Sequence, residues 1–221
     1  MRSVLASPRS AILLLGPTGS GKTPLGDHIE RHGLAGRRCL HFDFGANLRQ
    51  AAAGECGGLL DDQDLATVRR VLASGALLEE NEFPVAKKLL RAFLAGARVG
   101  EHDLVILNGL PRHTGQARDI ADILDVTLVV YLRCPVEVVR SRIRLNSGGD
   151  RTERVDDSPR EVDNKLRIFE ERTAPLLEYF RGKGVEVFDI EVTTDTEVAD
   201  IADRLASVLK KDQGLFHGYQ R

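Results

Sequence analysis

At 221 residues, with 42% hydrophobic and 29% charged residues, the chain has the composition of a soluble globular protein and the length to build one substantial core. Its 31 basic and 33 acidic residues leave a net charge of −2, without the basic excess of a general nucleic-acid or membrane-surface binder. Cys39, Cys56 and Cys134 are scattered and form no CxxC pair, so neither a disulfide framework nor a zinc site is expected; no apolar run approaches bilayer length.

Residues 11–15 (AILLL) are wholly apolar and closed by glycine, as in a central parallel strand covered on both faces. An apolar run that ends in this way is not a signal peptide, and a cytoplasmic location is expected. The next residues, Gly16-Pro17-Thr18-Gly19-Ser20-Gly21-Lys22-Thr23, fit G-x-x-x-x-G-K-[ST]. A triphosphate needs several backbone N–H groups aimed at it, and glycines let the chain wrap that closely. The helix expected over 21–32 adds its N-terminal donors, Lys22 reaches the β- and γ-phosphates, and Thr23 ligates Mg²⁺. Gly16, Gly19, Ser20, Gly21, Lys22 and Thr23 are therefore the expected ATP-binding residues.

Further strands are predicted over 38–42, 104–108, 127–132 and 185–190, and helices over 61–73, 82–97, 136–145, 160–181 and 194–210. Strands alternating with helices imply a three-layer α/β/α domain with a five-stranded parallel sheet, whose strands end on one ligand-binding edge. Two stretches interrupt the alternation. Residues 45–97 are too long for one crossover helix and read as a small helical insert. Residues 146–154 (NSGGDRTER) are glycine-containing and charged and read as a mobile surface loop. Residues 212–221 read as a loosely held tail.

After the third strand come Asn108-Gly109-Leu110-Pro111-Arg112 and then Gln116; after the loop come Arg154-Val155-Asp156-Asp157, Lys165 and Thr173-Ala174-Pro175-Leu176. In this order the elements resemble those of the adenylate kinase group of nucleoside monophosphate kinases. That family carries Asp-Gly-Phe-Pro-Arg with a following Gln, and an Arg-x-Asp-Asp, Arg, Thr-x-Pro-Leu series at the spacings seen here. Asp43-Phe44-Gly45-Ala46-Asn47-Leu48-Arg49 resembles the start of the family's monophosphate-binding insert, and the resemblance runs over about residues 11–210.

It implies a single P-loop kinase domain with core 8–44, 98–143 and 156–211, a monophosphate-binding insert at about 45–97, and a short lid at about 144–155. It implies transfer from ATP, with Mg²⁺, to a nucleoside monophosphate, AMP being favoured because Gln116 would bond the acceptor base. Arg49 and Arg112 would clamp the acceptor phosphate; Phe44 and Leu78 would line the base pocket; Arg142 would pack on the donor adenine. Lys22, Arg112, Arg154 and Lys165 would carry catalysis, and Thr23 with Asn108 would hold the metal. A monomer acting without nucleic acid or membrane follows.

Several positions depart from the pattern. Asn108 stands for the aspartate that helps hold magnesium, Phe44 for a threonine near the acceptor base, and Lys165 for an arginine, keeping charge without the bidentate fork. The lid arginine expected after Arg142 falls at Asn146, leaving Arg144 or Arg151 for that role. Two other readings are a P-loop kinase acting on a different small acceptor, and a nucleotide-binding sensor or partner module with weakened turnover.

Overall fold

In the computed structural model, residues 8–150 and 158–216 are described. Five strands, β1 (Arg9–Leu15), β2 (Cys39–Asp43), β3 (Leu104–Asn108), β4 (Leu124–Arg133) and β5 (Glu186–Glu191), form one parallel sheet in the order β2-β3-β1-β4-β5. The helices are α1 (Lys22–His32), α2 (Phe44–Ala52), α3 (Asp62–Ser74), α4 (Phe83–Gly96), α5 (Thr114–Asp119), α6 (Val136–Leu145), α7 (Pro159–Ile168), α8 (Leu176–Gly182) and α9 (Val198–Phe216).

The strand period of two divides the apolar runs between two cores. Ala11, Leu13, Leu15, Val105 and Leu107 join Leu48, Val68, Leu90 and Phe180 on one face of the sheet. Ile12, Leu14, Leu104 and Ile106 join Leu25, Ile29, Ile201 and Leu205 on the other. A sheet covered on both faces explains why residues 11–15 of β1 and 104–107 of β3 are continuously apolar. Burial also pushes the Cys39 thiol up to about 11, which leaves it an inert core residue. Among the described residues, no helix is long and apolar enough to cross a membrane.

Parallel strands deliver their C-terminal ends to one edge. There β1 runs into the glycine loop, β2 into α2, and β3 into Gly109, with Asp43 and Leu14 both in register with Asn108. The stretch between β2 and β3 is built from α2, α3 and α4. Helix α3 starts on a reciprocal capping box between Asp61 and Asp64 and stops at Gly75, whose φ of 66° is a left-handed end.

Three elements differ from the sequence reading. The helix expected over 160–181 breaks into α7, a π-helical turn at Phe169–Thr173, and α8. Pro175 has no N–H to continue the ladder, and the Thr173 hydroxyl donates to the Arg112 carbonyl at 2.9 Å, which pins the break against the loop after β3. Helix α9 continues to Phe216, so residues 212–216 are helical where a loose tail was expected. The short α5 has too little apolar periodicity to announce itself; His113 caps it. Arg151, Arg154 and the Asp156-Asp157 pair lie outside the described residues, as do residues 151–155 of the expected lid.

Leu107 is 0% exposed in the middle of the sheet, whereas Leu145 is 65% exposed. Leu107→Ala is expected to cost about 2–5 kcal/mol of unfolding free energy, and Leu145→Ala to stay within about 0.5 kcal/mol of the parent, by denaturant titration. Equal costs would contradict the placement of β3.

Candidate active site

A cleft of about 240 Å³ opens at the edge where the strands end, lined by the glycine loop, the start of α2, the end of α3, and the loop after β3. Its floor is residues 16–23. Gly16 has a φ of +153°, and a Cβ there would lie 2.7 Å from both the Leu132 carbonyl oxygen and Ser20 Oγ, so the turn excludes any side chain. Ser20 is 1% exposed, yet among the described residues its Oγ has no hydrogen-bond partner. The Lys22 ammonium folds over the loop, donating to the Gly16 and Pro17 carbonyls at 2.7 Å each. An orphaned buried hydroxyl, an ammonium and a helix start converging on one glycine turn fit a polyphosphate.

Beside the loop, Thr23 Oγ1 donates to Asp43 Oδ2 at 2.8 Å. Asn108 Nδ2 donates to the same carboxylate oxygen at 2.8 Å and to Thr23 Oγ1 at 3.0 Å. The other oxygen, Asp43 Oδ1, accepts from the Ala46 N–H at 2.8 Å and so caps α2. A hydroxyl and a carboxylate are hard oxygen donors of the kind that suits Mg²⁺.

Arg112 lines the far wall. Among the described residues its guanidinium has no ionic or hydrogen-bonded partner, and burial alone pushes its pKa down to about 10. Arg49 lines the same cleft from exposed positions on α2. Arg142 is 5% exposed beneath the loop, where it donates to the Gly19 carbonyl at 3.3 Å and to the Thr193 carbonyl at 2.8 Å. It thereby ties the glycine loop to the segment after β5. Lys165 of α7 also reaches the cleft wall.

The residues expected at the acceptor base are placed as follows. Leu78 is buried at the cleft wall. Phe44 is 6% exposed and packs 6.1 Å from Phe42, so most of its ring belongs to the core and little is offered for stacking. Gln116 is 2% exposed, and each end of its amide already has one protein partner: Oε1 accepts from the Arg112 N–H at 2.7 Å, and Nε2 donates to the Leu78 carbonyl at 2.9 Å. One lone pair and one N–H remain for a ligand. His113 Nε2 donates to that same carbonyl at 3.2 Å, while Nδ1 accepts from the Gln116 N–H at 3.4 Å. The network therefore selects the Nε2–H tautomer.

The expected site residues within the described chain thus line one cleft, except Ser20, which is buried within the glycine loop; Arg154 is not among the described residues. Sequence reasoning missed the parts played by Asp43, His113 and Thr173. For Asp43 a signal existed: an acid at the C-terminal end of a strand beside the glycine loop. For the other two none did, since they act through backbone carbonyls.

Comparison with known proteins gives the same direction. The family model described as AAA domain matches residues 12–165. An adenylate kinase of Dehalococcoides mccartyi is 25% identical over 228 residues, covering 90% of this chain and 97% of the relative. One from Parasynechococcus marenigrum is 28% identical, covering 91% and 99%. The mouse protein named adenylate kinase isoenzyme 5 is 27% identical over 90% of this chain and 33% of its own length.

A cation with no partner among the described residues, whose pKa burial depresses in the fold, destabilises that fold at every pH below about 10, because the unfolded chain carries the charge more easily. Arg112→Leu is accordingly expected to raise the ligand-free unfolding free energy by about 1 kcal/mol and to abolish the extra stability that added phosphate gives the parent. A variant less stable than the parent in phosphate-free buffer would mean that the guanidinium is already neutralised.

Proposed function

This chain belongs to the AAA-domain family, and from that premise we propose that it is a nucleoside monophosphate kinase that transfers the terminal phosphoryl group of ATP to a nucleoside monophosphate, with AMP the favoured acceptor. The observation that carries the reading is the pairing, in one cleft, of a phosphate cradle at residues 16–23 with two guanidinium groups, Arg49 and Arg112, on the wall beyond it. A hydrolase needs only the first half. A second set of phosphate-matched forks suits an acceptor that itself carries a phosphate. Relatives named adenylate kinase, aligned over about nine-tenths of the chain, support a nucleotide kinase.

In this reading the backbone N–H groups of residues 16–23 and the start of α1 hold the donor phosphates, with the Ser20 hydroxyl facing them. Lys22 exchanges the Gly16 and Pro17 carbonyls for phosphate oxygens. Thr23 and its neighbours at the ends of β2 and β3 would hold Mg²⁺, which when bound neutralises charge on the donor phosphates. Arg49 and Arg112 orient the acceptor phosphate so that one of its oxygens faces the donor in line. No general base is required, because that oxygen is already ionised.

Residues 45–97 serve as the acceptor-binding insert and residues 144–155 as a lid that closes to exclude water and bring in Arg154, with Lys165 beside it. Arg142 fixes the segment after β5 at the donor base. The remaining lone pair and N–H of Gln116 bond the acceptor base, Leu78 walls it, and Phe44 contributes an edge. The enzyme works as a monomer in the cytoplasm.

Assays coupling ADP formation to AMP, CMP, UMP, GMP and dTMP are expected to show transfer, fastest with AMP. Lys22→Ala should lower kcat by about 10²- to 10³-fold, the scale of losing one preorganised charge-stabilising donor. Arg112→Ala should raise the KM for the monophosphate while leaving the KM for ATP unchanged. No transfer to any of the five, with ATP still bound, would remove the reading.

A further inference from the structure

The family resemblance leaves an apparent gap, since Asn108 stands where a carboxylate is expected near the metal. We propose that Asp43, on the neighbouring strand, is the anionic metal-ligating residue of this nucleotide site, and that Asn108 is a positioning residue that holds it. The proposal rests on the reading of residues 16–23 as a nucleotide cradle and deepens it.

The two residues lie in register at the ends of β2 and β3, so exchanging a charge between them keeps it at the same edge of the sheet. The orientation of Asn108 follows from its partners. Asp43 Oδ2, at 2.8 Å, can only accept a hydrogen bond, so the amide group facing it must be the nitrogen. Turned over, the amide would set its oxygen against a carboxylate oxygen with no proton between them. Asn108 consequently offers no oxygen to a cation at this point without giving up both of its bonds.

Asp43 is built for the task that Asn108 has lost. Its Oδ1 is fixed by the Ala46 N–H and its Oδ2 by Thr23 and Asn108, so the carboxylate is clamped before any ligand arrives. Thr23 spends its one proton on Asp43 and one lone pair on Asn108, which leaves the second lone pair of Oγ1 for a cation. The hydroxyl and carboxylate oxygens are 2.8 Å apart, close enough to meet one cation together or to share its water shell. Among the described residues, no group of three or more His, Cys, Asp or Glu side chains gathers into a self-sufficient metal site. One protein carboxylate and one hydroxyl need the remaining oxygens from phosphates and water, the usual arrangement for nucleotide-bound magnesium.

The same carboxylate caps α2, which carries Arg49, so one side chain sets both the cation and the first acceptor-side arginine. A bulky or apolar substitute at position 43 would disturb both at once; a faithful test must remove the charge and keep the cap.

The test uses Mn²⁺ as probe, read by the electron paramagnetic resonance of the free ion, on the full chain saturated with a non-hydrolysable ATP analogue. Affinity for the same analogue in EDTA is measured in parallel. Asp43→Asn preserves shape and helix cap, and Asp43→Ser preserves a capping oxygen. Each is expected to weaken Mn²⁺ binding by about 10- to 100-fold with metal-free analogue affinity unchanged or tighter. Restoring a carboxylate from the other strand, in Asp43→Ser combined with Asn108→Asp, should recover most of the loss. Parent-like Mn²⁺ affinity in both single variants would overturn the assignment while leaving the nucleotide reading intact. Failure of the parent to bind the analogue even in EDTA would overturn both.

Discussion

The site depends on one carboxylate held between three elements. Asp43 receives the Thr23 hydroxyl from the glycine loop on one side, the Asn108 amide from the adjacent strand on another, and the first turn of α2 through its second oxygen. The glycine loop belongs to β1 and α1, whereas the cleft arginines Arg49 and Arg112 belong to α2 and to the loop after β3. Nothing in the backbone forces these parts into a common frame except the parallel register at the ends of β1, β2 and β3. A one-residue slip of β2 would carry Asp43 to the opposite face of the sheet and undo the arrangement at every partner.

The second constraint is charge. Lys22, Arg49, Arg112, Arg142 and Lys165 converge on a cleft into which Asp43 and Asp150 also face. Arg142 is hydrogen-bonded to backbone carbonyls and Lys22 is folded onto them, but the Arg112 guanidinium has no such partner among the described residues. Such a guanidinium costs stability by itself, and on the proposed reading it serves an incoming phosphate. On that reading activity and stability are set against each other at a single residue, a pattern expected where binding energy is stored in a preorganised site.

Much of the architecture was legible in the sequence because it rests on strong, short-range signals. The largely apolar β3 and the amphipathic α6 were located with their observed limits, 104–108 and 136–145. The glycine loop is legible because close approach to phosphate admits few residues. What the sequence concealed is where polar side chains spend their hydrogen bonds. Gln116 reads as a base-recognition group, yet its amide also staples Leu78 to Arg112 across the cleft wall. Pro175 was visible, but whether it kinks or ends a helix depended on the tertiary bond from Thr173 to the Arg112 carbonyl. Asn108 looked like a lost charge because only the register of two strands shows that Asp43 stands beside it.

On the proposed reading, two phosphorylated ligands lie end to end between residues 16–23 and the Arg49–Arg112 wall. Calorimetric titration with a dinucleoside pentaphosphate, which joins donor and acceptor in one molecule, tests it most directly. One molecule is expected to bind per chain, at least about 100-fold more tightly than ATP, with the advantage erased in an Arg49→Ala, Arg112→Ala double variant. Binding no tighter than ATP, or unaffected by loss of both arginines, would contradict it.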